Sequence, residues 1–289
     1  ALFIDLGHPK LTGSAHLDEM LKRAEVPWGK ADVAITHFHA DHVGNLPYFL
    51  EQGGRRVYHG ALPQVNDEFC RDFARAIGWQ EALGACWEEF RDTLLYIMQV
   101  RQPTTPSAQA LSDGDTISIG DWNLTAIETP GHAPEHLCFG DRWKKTLFSG
   151  DHIVDAAPSL MQSGRDDHLL QRFMGSFPRL KEMGFETVYM SHHEPLHGAS
   201  RISAFYDYMM AKFEKPLAKR TEIVRSLGSA TVYDVTAVAQ RSHGSFDELE
   251  FGMRVRRFAM TFSYLEYLAD KGILKREEDA QGVLHYSVA

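Results

Sequence analysis

The sequence predicts an α+β protein in two parts, and three observations carry that prediction. Short apolar runs end repeatedly in a Gly or Pro turn followed by a histidine or aspartate. After Gly198 the pattern changes to helical periodicity, beginning Ile202-Ser203-Ala204-Phe205-Tyr206. Two strand-like runs, Gly272-Ile273-Leu274-Lys275-Arg276 and Val283-Leu284-His285-Tyr286-Ser287-Val288, then close the chain around an acidic turn. The expected domains are therefore 1–200 and a mostly helical 201–289.

The densest polar segment is Thr36-His37-Phe38-His39-Ala40-Asp41-His42. His37 and His39, two apart on an extended chain, leave on the same face. Asp41 and His42 are expected beyond the strand end, in the turn, where they can meet a second centre. Neutral imidazoles with a carboxylate suit zinc and other borderline divalent ions. A histidine-rich surface turn is the plain alternative, and three later segments argue against it. Leu124-Thr125-Ala126-Ile127-Glu128 runs into Thr129-Pro130-Gly131-His132, Thr146-Leu147-Phe148 delivers Asp151, and Thr187-Val188-Tyr189-Met190 delivers His192 and His193. A strand, a turn and then a ligand, repeated in order, is how a sheet rim builds a metal cleft.

These motifs resemble those of the metallo-β-lactamase superfamily of hydrolases, over residues 1 to about 200. The resemblance implies a four-layer αβ/βα sandwich and assigns the ligands. His37, His39 and His132 hold one metal, Asp41, His42 and His192 hold a second, and Asp151 bridges them. The family's Gly-His-Gly-Glu-Pro run matches Ser191-His192-His193-Glu194-Pro195 best with His192 as ligand, leaving His193 as the alternative. The antibiotic-hydrolysing branch keeps a cysteine near the place of Asp151, so its absence argues against that activity. His136 matches a second histidine common in relatives and reads as a structural or supporting group. His152 and His193 directly follow ligands and are expected to point away from them.

Composition fits an ordinary enzyme. The chain has 289 residues, 44% of them hydrophobic, with no apolar run near the roughly 18 residues a membrane helix needs. No basic segment followed by an apolar stretch opens it. Cys70, Cys86 and Cys138 lack metal-type spacing and read as reduced and buried, which suggests the cytoplasm. Leu2-Phe3-Ile4-Asp5-Leu6 resembles a strand that in relatives follows an opening hairpin, so a longer natural N-terminus is expected. Asp5 is either a supporting partner of the metal ligands or a turn cap.

A long insertion spans about 64–102. Phe69, Phe73, Ile77, Leu83, Trp87, Phe90, Leu94, Leu95 and Met98 recur mostly three or four apart, which predicts amphipathic helices with breaks at Gly78 and Gly84. A helical pair packed on the sheet is the favoured reading. A lid with an aromatic face, suited to a substrate with an apolar portion, is the other. A loop over 103–107 ends the insertion, and Asp113-Gly114-Asp115 turns into a strand over 116–120.

Helices are expected over about 202–227, 231–241 and 254–272. With the terminal hairpin they resemble a winged-helix module, found in a branch of the family that includes a mitochondrial endoribonuclease. Charge weighs against nucleic acid. From residue 201 onward 13 Lys and Arg face 12 Asp and Glu, whereas the whole chain carries −9. A wall of the cleft or a homodimer contact is the favoured use.

The implied chemistry is hydrolysis. Two ions sharing a carboxylate, roughly 3.5–4 Å apart, generate a bound hydroxide at neutral pH, with Asp41 orienting it or moving its proton. Zinc is the expected metal, with iron and manganese as alternatives. A small ester, thioester or lactone is the expected substrate. The alternatives are a metal-dependent endoribonuclease or phosphodiesterase, and a one-iron enzyme like the family's sulfur dioxygenases. No Gly-x-Ser-x-Gly elbow supports a serine nucleophile.

Overall fold

The computed structural model describes residues 1–61, 66–79, 86–98, 107–154, 168–241 and 244–289. The expectations placed on Leu83, Gly84, the Met98 side chain and 103–106 lie outside them. By compactness the chain divides into two units, one of 1–63, 98–156 and 176–206, the other of 64–97, 157–175 and 207–289.

In the first unit, strands β1 (Leu2–Ile4), β2 (Asp32–Ala34), β3 (Arg56–Gly60) and β4 (Ala108–Leu111) form a sheet in that order, all parallel. A second sheet has the order β10 (Leu196–His197), β9 (Thr187–Tyr189), β8 (Thr146–Phe148), β7 (Leu137–Asp141), β6 (Trp122–Glu128) and β5 (Thr116–Ile119). Apolar side chains of both sheets share one cluster, in which Ala34, Tyr58 and Leu111 meet Ile117, Leu124, Ala126, Leu137 and Phe139. The opposite face of the first sheet, with Phe3, Val33, Ile35 and Val57, packs on helix α1 (Ala15–Arg23) and helix α3 (Leu46–Glu51). A parallel sheet needs cover on both faces, and these two layers provide it. Helix α2 is a single turn, Ala40–Val43.

In the second unit the insertion forms α4 (Asp67–Ala76), capped by the Asn66 side chain on the Phe69 amide, and α5 (Trp87–Met98). Helix α6 (Leu169–Met183) and helix α7 (Ala199–Ala211) each have residues in both units. Then follow α8 (Glu214–Leu227), β11 (Ser229–Thr231), α9 (Val232–Gln240), α10 (Phe251–Asp270), β12 (Leu274–Glu278) and β13 (Leu284–Val288). The last three strands form an antiparallel sheet ordered β11-β13-β12. The single helix expected over 202–227 is two, α7 and α8.

The described part of the insertion packs within the second unit. Its aromatic side chains meet α10, with Trp79 ring centroids 4.5 Å from Phe258 and 5.3 Å from Phe251, and Phe73 5.9 Å from Phe262. The helical spacing was readable, but the surface that buries it comes from nearly 200 residues further along the chain. One expectation changes. Cys70 and Cys138 are buried, but Cys86 is exposed. No helix among the described residues is long and apolar enough to cross a membrane.

Candidate metal centre

Sheet topology explains why the strand–turn–ligand pattern converges. Strands β6 and β8 both run antiparallel to β7, and β9 runs parallel to β8. All three therefore point the same way, and the loops after them share one rim. His132 follows β6, Asp151 stands in a 3-10 turn (Gly150–His152) after β8, and His192 follows β9. The remaining residues come from the loop after β2. The hydrogen-bonded strand ends at Ala34, so His37 and His39 extend beyond it. Asp41 and His42 lie in α2 rather than in a turn, with His39 at its N-cap.

Three sets of side chains bring their donor atoms within 4.8 Å of one another: His37, His39 and His132; His37, His42 and Asp151; Asp41, His42 and His192. Asp151 faces each side of the group. Its Oδ1 lies 3.3 Å from His42 Nε2 and 3.2 Å from His192 Nε2, and its Oδ2 lies 3.5 Å from His132 Nε2. His39 Nδ1 and His132 Nε2 are 2.9 Å apart, and Asp41 Oδ2 is 3.3 Å from His192 Nε2. His192 joins the group, and His193 belongs to none of the three sets. His152 is buried, its ring 4.6 Å from Phe177, and burial lowers its pKa to about 3.

A second layer of side chains fixes this arrangement. Asp5 accepts from the Thr36 amide and hydroxyl and from His42 Nδ1, each at 2.8 Å. It does so with φ at +59°, a conformation costly for most residues but tolerated by Asp and Asn. Of the two readings left open for Asp5, the structure shows a partner of His42, one of the expected ligands. Because the Thr36 hydroxyl donates to Asp5, its oxygen is left to accept from His37 Nδ1 at 3.1 Å. Both His37 and His42 thus turn Nε2 towards the group.

The electrostatics match a cation site. Burial, reinforced by neighbouring imidazoles, holds His37 well below its ordinary pKa and His132 at about 3, so both rings stay neutral, the form in which imidazole can bind a cation. Burial opposes charge on His42 as well, yet Asp5 and Asp151 outweigh it and raise its pKa to about 10. Burial alone would raise Asp151, but the facing His42 holds it well below the carboxylate range. These carboxylates demand positive charge at one point, which a proton on His42 or a divalent ion can supply. His37 Nε2, His42 Nε2, His132 Nδ1 and Asp151 Oδ1 are buried without a hydrogen-bond partner. Orphaned polar atoms of this kind are rare unless something else binds them, and nitrogen with carboxylate oxygen is a zinc-type donor set.

A cleft of about 420 Å³ opens on the group. Asp41, His42 and His192 line it, together with Leu11, Leu17, Met20 and Met190. Leu11 and Met20 are 78% and 52% exposed. No local pattern in the sequence marks this wall, or the parts played by Thr36 and Glu135. A buried carboxylate in the turn Pro130-Gly131-His132-Ala133-Pro134-Glu135-His136 carries no local signal beyond its nearness to the motif.

Residues 26–193 match the model of the metallo-beta-lactamase superfamily, and the chain belongs to that family. The chicken (Gallus gallus) acyl-coenzyme A thioesterase MBLAC2 is 31% identical over 174 residues, 58% of this chain and 57% of the relative. A hydroxyacylglutathione hydrolase from Bdellovibrio bacteriovorus is 31% identical over 104 residues, 36% of this chain and 40% of the relative. The chain thus spans about half the length of the curated relatives it matches. The crystal structure of a beta-lactamase domain protein from Burkholderia ambifaria shares the fold, with a TM-score of 0.74 at 20% identity, covering 100% of this chain and 82% of the other.

Proposed function

We propose that this chain is a two-metal hydrolase, with zinc as its ion, acting on a small thioester. The observation that carries this reading is Asp151 facing both ligand sets, His37/His39/His132 on one side and Asp41/His42/His192 on the other. When bound, the ions activate water and polarise a carbonyl oxygen. The chain's own residues do the rest. Asp41 is 39% exposed, lines the cleft, and keeps a carboxylate oxygen free to orient the attacking water and take its proton. His37, His42 and Asp5 fix the direction of the donor atoms, and the apolar wall at Leu11, Leu17 and Met20 excludes water from the far part of the substrate. The names of the thioesterase and hydroxyacylglutathione hydrolase relatives support a thioester.

Residues 201–289 are read as a winged-helix-like module by their order of helices and the β11-β13-β12 sheet. Their near-balanced charge favours a structural role over nucleic-acid binding. The test is a panel of acyl thioesters set beside single-stranded RNA, with metal analysis of the same sample. Two zinc ions per chain, thioester hydrolysis, and a loss of about 100-fold or more in kcat for Asp41→Asn are expected. Cleavage of RNA without thioester hydrolysis defeats the substrate reading, and a single iron defeats the two-zinc reading.

A further inference from the structure

The turn between β6 and β7 carries two consecutive buried side chains that reach different ligand loops. Glu135, 6% exposed, accepts the Phe38 amide through Oε1 at 3.1 Å. Phe38 stands between His37 and His39. His136, 1% exposed, accepts the Asp151 amide through Nε2 at 3.2 Å. The same turn bears His132.

We propose that Glu135 and His136 are positioning residues that brace the metal centre, locking the His37–His39 loop and the Asp151 loop to the turn that carries His132. This inference rests on the two-metal reading of the site.

The hydrogen-bond directions are consistent along the whole brace. With Nε2 accepting, His136 carries its proton on Nδ1 and donates it to Thr129 Oγ1 at 2.8 Å. The Thr129 hydroxyl is then free to donate to Cys138 Sγ at 3.2 Å, and the Cys138 thiol donates to the Ser149 carbonyl at 3.4 Å. The run therefore returns to the Asp151 loop two residues before the carboxylate. Close approach is built in at both ends. A Cβ at Gly150 would lie 2.7 Å from Thr36 and 2.8 Å from His136 Nε2, and one at Gly60 would lie 2.0 Å from the Glu135 carbonyl. Glu135 Oε2 is buried without a hydrogen-bond partner, and burial raises the carboxyl pKa. The contact with Phe38 needs only a carbonyl oxygen at the Oε1 position. Glutamine therefore reproduces the contact, and leucine removes it. At His136, glutamine can place an acceptor near the Nε2 position, whereas asparagine reaches only the Nδ1 position.

Zinc affinity, measured by competition with a chromophoric chelator, tests the brace, with melting temperatures of the chelated proteins taken alongside. Losing a supporting partner of a metal ligand typically weakens metal affinity about 10- to 100-fold. That loss is expected for Glu135→Leu and His136→Asn, while Glu135→Gln and His136→Gln stay within about threefold of the parent. A general packing role predicts that asparagine and glutamine at 136 behave alike. Equal loss in both, or parent-like affinity in Glu135→Leu and His136→Asn, overturns the proposal, as does failure of both His136 variants to fold. A parent protein that binds no zinc overturns instead the metal reading on which it rests.

Discussion

Asp5 concentrates at one residue several of the forces that shape the centre. Its backbone sits at φ +59°, and its carboxylate collects three hydrogen bonds, one from His42. Asparagine tolerates the same backbone and nearly the same shape, but its amide has one acceptor oxygen where Asp5 uses two, so Asp5→Asn removes the charge together with part of the bonding to Thr36 and His42. In the metal-free protein His42 has its pKa raised to about 10 from 6.5, against the burial that opposes it. A folded pKa above the unfolded value stabilises fully below 6.5 and is lost as pH rises through about 10. Thermal melts in excess chelator should therefore show stability falling over that window, with a shallower fall for Asp5→Asn. An equal slope in both proteins shows that Asp5 is not the source.

Among the elements, the terminal sheet depends on one buried carboxylate of α10. Glu266, 1% exposed, accepts the Tyr286 hydroxyl of β13 at 2.7 Å and pairs with Arg276 of β12. Burial raises its pKa, which the Tyr286 bond and the Arg276 charge oppose. Glu266→Ala removes the acceptor of the buried Tyr286 hydroxyl and the carboxylate paired with Arg276, itself 37% exposed. The expected cost is about 1–3 kcal/mol, since the exposed side of the pair is screened and the hydroxyl bears most of the loss. Denaturant unfolding checks this, and a change below about 0.5 kcal/mol, the usual range for surface substitutions, excludes it. The insertion is governed by the same logic. Trp79 and Phe73 make α4 and its following turn part of a core built with Phe258 and Phe262.

For the whole molecule, the proposed ligands come from loops that follow β2, β6, β8 and β9, so on this reading metal binding couples to folding. A ligand that binds only the folded state at about 1,000 times its Kd adds about 4 kcal/mol. In a chain of this size that is a rise in melting temperature on the order of 10 °C. Chelation should lower the melting temperature by that amount, and restored zinc should recover it. Calorimetry without any shift argues against ions held by these loops.

Much was legible because it is local. His37, His39, Asp41 and His42 fall within six positions, and the later expected ligands each follow an apolar run that ends in a turn, so the rim could be read from spacing and the family from the resemblance of the motifs. The helical periods of the insertion and of the C-terminal region were equally readable. Tertiary structure decided what lies opposite each of these. It pairs Phe38 with Glu135 across 97 residues, His42 with Asp5 across 37, and the insertion with α10. It also places Leu11 and Met20 beside Asp41. A side chain's own period or turn chemistry leaves a trace in neighbouring residues. A partner brought close only by the packing of sheets and helices leaves none, because its distance along the chain is unrelated to its distance in space.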